Sequence, residues 1–467
     1  MTDGTLTDLA AAVRARQLSP VEIVTAYLAR IERLDRSLRA FITLDAEGAL
    51  AAARALEADA VAGRWRGPLH GVPLGVKDLC AVPGLPCSGG SRTPDYFRSP
   101  HPCTAVQRLT AAGAITLGTL NMTEFALGPF GDNVHHGDVQ NPWRPGHVSG
   151  GSSSGSGAAV AAGLVAGALG SDTGGSIRLP AASCGIVGLK PTYGRVSRAG
   201  VMPLSWTMDH LGPMARTVRD VAVMLGVIAG HDPLDATSSH HAVPEYPATL
   251  ARPVTGVRAA VPTNHFGEDV EPEVAAAVAT ALTVLEQRGA RVSPARIPDP
   301  KMVTACNNPI VRAECATVHA RVLRERPHEL GPVVRSRAEA GFAVSAVEYL
   351  AALEQRAKVT REFITAVFAD ADVLVTPTIP EPAPSYETAK AGSVADVIAR
   401  MSAFTRFTRV FNTVGLPALS LPCGFTAAGL PVALQIVGRP FDEATVLRVG
   451  HAYEQATEWH RRRPPLD

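Results

Sequence analysis

No apolar run in this 467-residue chain is long enough to cross a bilayer: the most apolar stretch, Ala158 to Leu169, is short and studded with Gly and Ala. The first 30 residues scatter Asp3, Asp8, Arg14 and Arg16 among apolar positions and lack the continuous apolar core and small-residue cleavage site of a secretory signal. An excess of one charge is also missing. With 44 Lys plus Arg against 43 Asp plus Glu the formal charge is +1, so no strong field draws nucleic acid or an anionic membrane. The seven Cys are odd in number and scattered, which suits free thiols in a reducing cytoplasm better than a disulfide framework. The expectation is a cytoplasmic protein with no membrane or nucleic-acid partner, working as a monomer or homodimer.

Cofactor motifs are missing too. No G-x-G-x-x-G follows a strand-like run, and no His or Cys pair has metal-ligand spacing, so neither cofactor nor metal is expected. Gly185 to Thr192 superficially matches a phosphate loop, but Pro191 follows Lys190 where Ser or Thr is required. Lysine itself is scarce, with five among the 44 basic residues, at 77, 190, 301, 358 and 390. Lys77 ends the apolar run G-V-P-L-G-V-K-D. It is either a surface Lys paired with Asp78 or a buried amine whose depressed pKa makes it a neutral base, a role closed to Arg.

What is present is the composition of a compact globular protein, 46% hydrophobic and 19% charged. Residues 5 to 66 read as helical, with a capping box at Ser19, Pro20 and Glu22. Beyond about residue 70, short strand-like runs (72–76, 115–117, 166–169, 257–261, 373–376, 418–421, 432–437) alternate with helical segments. This pattern predicts one α/β domain over 1–467: a large mixed, mostly parallel twisted sheet covered by helices on both faces, with the N-terminal helices packed on it.

The most unusual stretch is Val148 to Arg178, where two Gly/Ser-rich loops flank an Ala-rich helix. Gly151 to Gly155 fits the G-x-S-x-G elbow, which would make Ser153 the nucleophile of a Ser-His-acid esterase. Longer motifs point elsewhere. L-H-G-V-P-L-G-V-K-D at 69–78, G-G-S-S-S-G-S at 150–156, D-T-G-G-S-I-R-L-P at 172–180 and C-G-I-V-G-L-K-P-T at 184–192 closely resemble the amidase signature family. The resemblance continues through V-L-V-T-P-T at 373–378 and the runs at 415–424 and 429–438. It implies Ser176 as nucleophile, Ser152 as relay after a cis Gly151-Ser152 peptide, and Lys77 as base. In this reading the N-H groups of Thr173, Gly174, Gly175 and Ser176 face the oxyanion. Asp172 and Arg178 are paired scaffold, and Ser153 plays a supporting part.

The implied activity is hydrolysis of a C-N bond in a small amide, anilide or carbamate. Substrate contacts are expected from Phe130, Gly131, Asp132 and His135 in one loop and Trp206 and Met208 in another, forming a partly apolar pocket. The alternative within the same resemblance is the glutaminase subunit of a tRNA-dependent amidotransferase, which needs partner chains. For that reading Arg356 falls on the family's substrate Arg, yet 397–411 holds no Asp or Glu for the accompanying acid, and V-S-A-V-E-Y-L-A-A-L at 344–353 replaces a tyrosine-rich helix.

Overall fold

The computed structural model describes residues 2–93 and 97–466. Its helix Pro20–Leu38 starts as its sequence dictates. Ser19 Oγ accepts from the Val21 N-H at 3.0 Å, the Glu22 side chain accepts from the Ser19 N-H at 2.9 Å, and Pro20 stands where an N-H has no intrahelical use. Its buried face of Ile23, Val24, Tyr27, Ile31 and Leu34 joins Leu6, Leu9 and Val13 of helix Leu6–Arg14 in one apolar cluster with Leu74 and Val76. The continuous helical reading of 5 to 66 is interrupted. Phe41–Leu44 forms a short strand, β1, before helix Ala46–Val61. Four residues are too few for periodicity to separate a strand from a helical turn.

Ten further strands follow: β2 (Pro73–Lys77), β3 (Ile115–Leu120), β4 (Gly167–Asp172), β5 (Val187–Lys190), β6 (His210–Ala215), β7 (Arg258–Pro262), β8 (Arg291–Ala295), β9 (Val373–Pro377), β10 (Ala418–Phe425) and β11 (Pro431–Gly438). Among the described residues they make one eleven-stranded sheet in the order β1-β3-β2-β4-β6-β5-β10-β11-β9-β7-β8. The expected α/β fold with a mixed sheet is present. The balance differs from a mostly parallel sheet: only β3-β2-β4 and β9-β7-β8 run parallel, and every other junction is antiparallel. A short connection accounts for one such junction, since residues 426–430 between β10 and β11 cannot form a crossover.

Two features place the chemistry. β2 and β4 are parallel neighbours, with Leu74 opposite Gly167 and Val76 opposite Leu169, so Lys77 and Ser171–Asp172 emerge at the same edge of the sheet. The helix Ser154–Ala161 is buried along its whole length. Its small residues answer to close neighbours: a Cβ on Gly155 would lie 2.3 Å from the Ala40 carbonyl oxygen and 2.6 Å from Asn121 main-chain atoms. All seven Cys are unbridged and six are buried. Among the described residues no helix is long and apolar enough to cross a membrane.

Candidate active site

Lys77 ends β2 and is completely buried. Its Nζ lies 2.7 Å from Ser152 Oγ and 2.9 Å from Ser171 Oγ. The neighbouring Asp78 is not its partner, because that carboxylate accepts from the main-chain N-H groups of Ser88 at 3.0 Å and Gly90 at 3.2 Å. Burial dominates the Lys77 amine and lowers its pKa to about 7, opposed by Cys80, Asp172 and Asp209. At neutral pH much of this amine is therefore unprotonated and able to accept a proton. Ser152 follows a cis Gly151–Ser152 peptide, as the sequence motif implies.

Ser153, the elbow candidate, is committed elsewhere. Its Oγ donates to the Ser171 carbonyl at 3.1 Å and accepts from the Ser171 N-H at 3.2 Å, with no histidine contact among the described residues. A hydroxyl held at both its donor and acceptor sides by main chain is a structural tie. The Ser153 N-H reaches the Ser176 carbonyl at 3.3 Å, which fastens the two Gly/Ser-rich loops together.

The loop carrying Ser176 is built around Asp172. That carboxylate receives Arg178 Nε and Nη2 at 3.0 Å each, Asn412 Nδ2 at 2.8 Å, and the N-H groups of Gly175 at 2.7 Å and Ile177 at 3.1 Å. Burial alone would raise its pKa, but Arg178, Lys190 and these hydrogen bonds outweigh it and hold the group well below the usual carboxylate range. Arg178 is saturated by Asp172, the Thr408 carbonyl, Gln435 and Asn412. Gly175 adopts φ 135°, and a Cβ there would meet Thr408 Oγ1 at 2.3 Å. Because its N-H serves Asp172, Gly175 drops out of the expected set facing the oxyanion. The N-H groups of Thr173, Gly174 and Ser176 have no acceptor among the described residues and remain available.

A cavity of about 240 Å³ opens beside Ser176, Thr173 and Gly174. Its wall comes from residues 126–129 and from helices Asn307–Val318, Pro332–Glu339, Val394–Phe404 and Arg406–Thr413. All six expected substrate residues lie outside it. Phe130 is buried against Phe404, Gly131 abuts Ser149 and Ser154, His135 Nε2 sits 2.7 Å from Glu124 Oε1, and Met208 is buried beside Asn307. Asp132 does not line the cavity, and burial raises its pKa. Trp206 borders a second cavity of about 310 Å³ that shares Thr173 and Leu204 with the first and includes Ser171 and Asp209. Arg356 faces a separate cleft, with its Nε on the Thr413 carbonyl at 2.7 Å. Loop composition misled for Phe130 and Met208 because Phe and Met serve packing as readily as binding.

Residues the sequence reading left unassigned also contribute. Ser171 gives Lys77 a second hydroxyl partner, and Asp209 accepts from Thr173 Oγ1 at 2.6 Å. Ser171 immediately precedes the D-T-G-G-S-I-R-L-P motif, and its approach to Lys77 depends on the β2–β4 register.

The Amidase family model matches residues 22–447. The A subunit of glutamyl-tRNA(Gln) amidotransferase from Chloroflexus aggregans is 43% identical, covering 97% of this chain and 96% of that one. The corresponding subunit from Thermotoga maritima superposes with a TM-score of 0.80 at 32% identity, covering 97% and 95%. A structure from a vestigial protein complex bearing on the origins of an s-triazine catabolic enzyme gives 0.90 at 32%, covering 97% and 98%. These relatives overturn the expectation of a monomer or homodimer that acts on a small molecule without nucleic acid, since the subunit named belongs to an enzyme of glutamyl-tRNA. Small net charge failed as a guide because a subunit need not carry its assembly's nucleic-acid surface. The family match over most of the chain, together with the buried lysine and paired serine loops, shows that this protein is a member of the amidase signature family, enzymes acting on amide C-N bonds.

Proposed function

We propose that this chain is the amide-cleaving A subunit of an amidotransferase acting on glutamyl-tRNA(Gln), with a cytoplasmic setting that suits its seven unbridged thiols. The observation that carries the reading is 43% identity to such a subunit across 97% of the chain. Chemically, Ser176 Oγ attacks the amide carbonyl while its proton passes through Ser152 to neutral Lys77. The N-H groups of Thr173, Gly174 and Ser176 stabilise the oxyanion. The proton then returns to the departing nitrogen, leaving an acyl-enzyme that water hydrolyses by the same relay. Asp172 and Arg178 hold the loop, and Ser153 ties it to the relay segment.

Arg356 lies away from this cavity and no acid stands in 397–411, so the remainder of the amide donor is held by other groups. The test is amidation of glutamyl-tRNA(Gln) by the chain mixed with partner subunits, with glutamine as donor. Amidation is expected, and Ser176→Ala should abolish it. Hydrolysis of amides without any tRNA amidation, whatever partner subunits are supplied, would overturn the assembly part of the reading.

A further inference from the structure

The cavity beside Ser176 is lined by three arginines and by no Asp or Glu. Arg312 stands exposed at the rim on helix Asn307–Val318, while Arg337 and Arg409 are half-buried on two other helices. Exposed arginines such as Arg321, Arg335 and Arg461 each find a carboxylate within 3.0 Å. None of the three cavity arginines has a carboxylate within 4.0 Å among the described residues. Arg337 Nη1 reaches only Met401 Sδ at 3.7 Å, and Arg409 Nη2 reaches the Ser402 carbonyl at 2.6 Å. Burial first, and Arg337 second, lower the Arg409 pKa to about 10. Asp132 acts on Arg337 only from beyond ion-pair distance. Guanidinium charges gathered around a small cavity and left without a counter-ion are costly unless a ligand supplies one.

We propose that Arg312, Arg337 and Arg409 form a carboxylate-binding subsite, so that the amide cleaved at Ser176 carries a carboxylate on its acyl portion. The inference rests on the Ser176 reading above and specifies its substrate class. Arginine presents paired N-H groups that match a carboxylate, and three around one cavity fix the far end of a short acyl chain while its carbonyl meets Ser176. A ligand ammonium finds no carboxylate in the cavity wall. The carboxylate is therefore the required group and an α-ammonium is dispensable.

The experiment compares kcat/KM of the full chain for glutaramate (the monoamide of glutarate), glutamine and pentanamide. In parallel, an uncharged fluorophosphonate reports on Ser176, with glutarate or pentanamide as competitor. Glutaramate should exceed pentanamide by at least about 100-fold and match or exceed glutamine. Glutarate should slow Ser176 labelling at concentrations where pentanamide does not. Arg337→Gln and Arg409→Gln should each cut the glutaramate-to-pentanamide ratio about tenfold or more, and Arg409→Lys should retain only part of it, because an ammonium keeps the charge and loses the paired N-H geometry. Equal use of glutaramate and pentanamide, or no protection by glutarate, overturns the subsite. An intact carboxylate preference with no labelling of Ser176 sinks the nucleophile assignment and leaves the subsite standing.

Discussion

Lys77 Nζ and Ser152 Oγ, both buried, meet at 2.7 Å where β2 ends beside the loop that leads into helix Ser154–Ala161. The pair sets the pH dependence of the proposed reaction. Below about pH 7 the folded-state amine is protonated and cannot accept a proton; above it the neutral form dominates. The kcat/KM for an uncharged amide should rise about tenfold per pH unit on the acid limb and level off near pH 7 to 8. Lys77→Met and Lys77→Arg should both lose roughly 10²–10⁴-fold, because a guanidinium keeps its proton. A Lys77→Arg enzyme with near-normal turnover would make Lys77 structural.

Ser176 and Ser153 separate the two serine readings. Ser176→Ala should remove activity on the order of 10⁶-fold while leaving the thermal midpoint nearly unchanged, since the lost hydroxyl faces the cavity. Ser153→Ala removes the partner of both the N-H and the carbonyl of Ser171. It should cost about 1–3 kcal/mol of stability and spare activity within about tenfold. The reverse pattern, with activity lost only in Ser153→Ala, would restore the elbow mechanism.

The sequence exposed this site unevenly. Lys77, Ser152, Ser176 and the Asp172–Arg178 pair were legible because each lies inside a contiguous motif, and the structure brings Lys77 to Ser152 and Arg178 to Asp172. Arg312, Arg337 and Arg409 were not, because they sit on three separate helices and none of them lies in a distinctive local pattern. Ser171 needed the strand register, and β1 was too short to show a period. The mixed α/β fold followed from alternating strand and helix runs, whereas the antiparallel share depended on strand order.

Removing Arg178 tests the scaffold. Arg178→Met strands the completely buried Asp172 charge with only Asn412 and main-chain donors, at a cost of about 3–5 kcal/mol in denaturant unfolding. The folded pKa of Asp172 is depressed, so its stabilising contribution is present above the unfolded value near ~3.9 and is lost as pH falls toward the folded pKa. The wild-type protein should therefore lose stability on the acid side more steeply than Arg178→Met. Parallel acid limbs would show that Arg178 does not set the Asp172 ionisation.

Gly155→Ala sets helix propensity against packing. Within the Ser154–Ala161 helix the alanine gains about 1 kcal/mol from propensity alone. Its Cβ, however, lies 2.3 Å from the Ala40 carbonyl oxygen and 2.6 Å from the Asn121 nitrogen and oxygen. These are main-chain atoms, so no rotamer change relieves the overlap, and overpacking of this kind costs about 1–3 kcal/mol or more. Relief requires the helix to move away from β3, and the Gly155 N-H to Asn121 carbonyl bond, now 2.8 Å, lengthens with it. Ser152 and Ser153 lie just before that helix, so the same shift pulls Ser152 off Lys77 and loosens the tie to Ser176. The variant should show a lower denaturation midpoint together with slower fluorophosphonate labelling of Ser176. A Gly155→Ala protein at least as stable as wild type, with unchanged labelling, would show that the helix has room the structure does not give it.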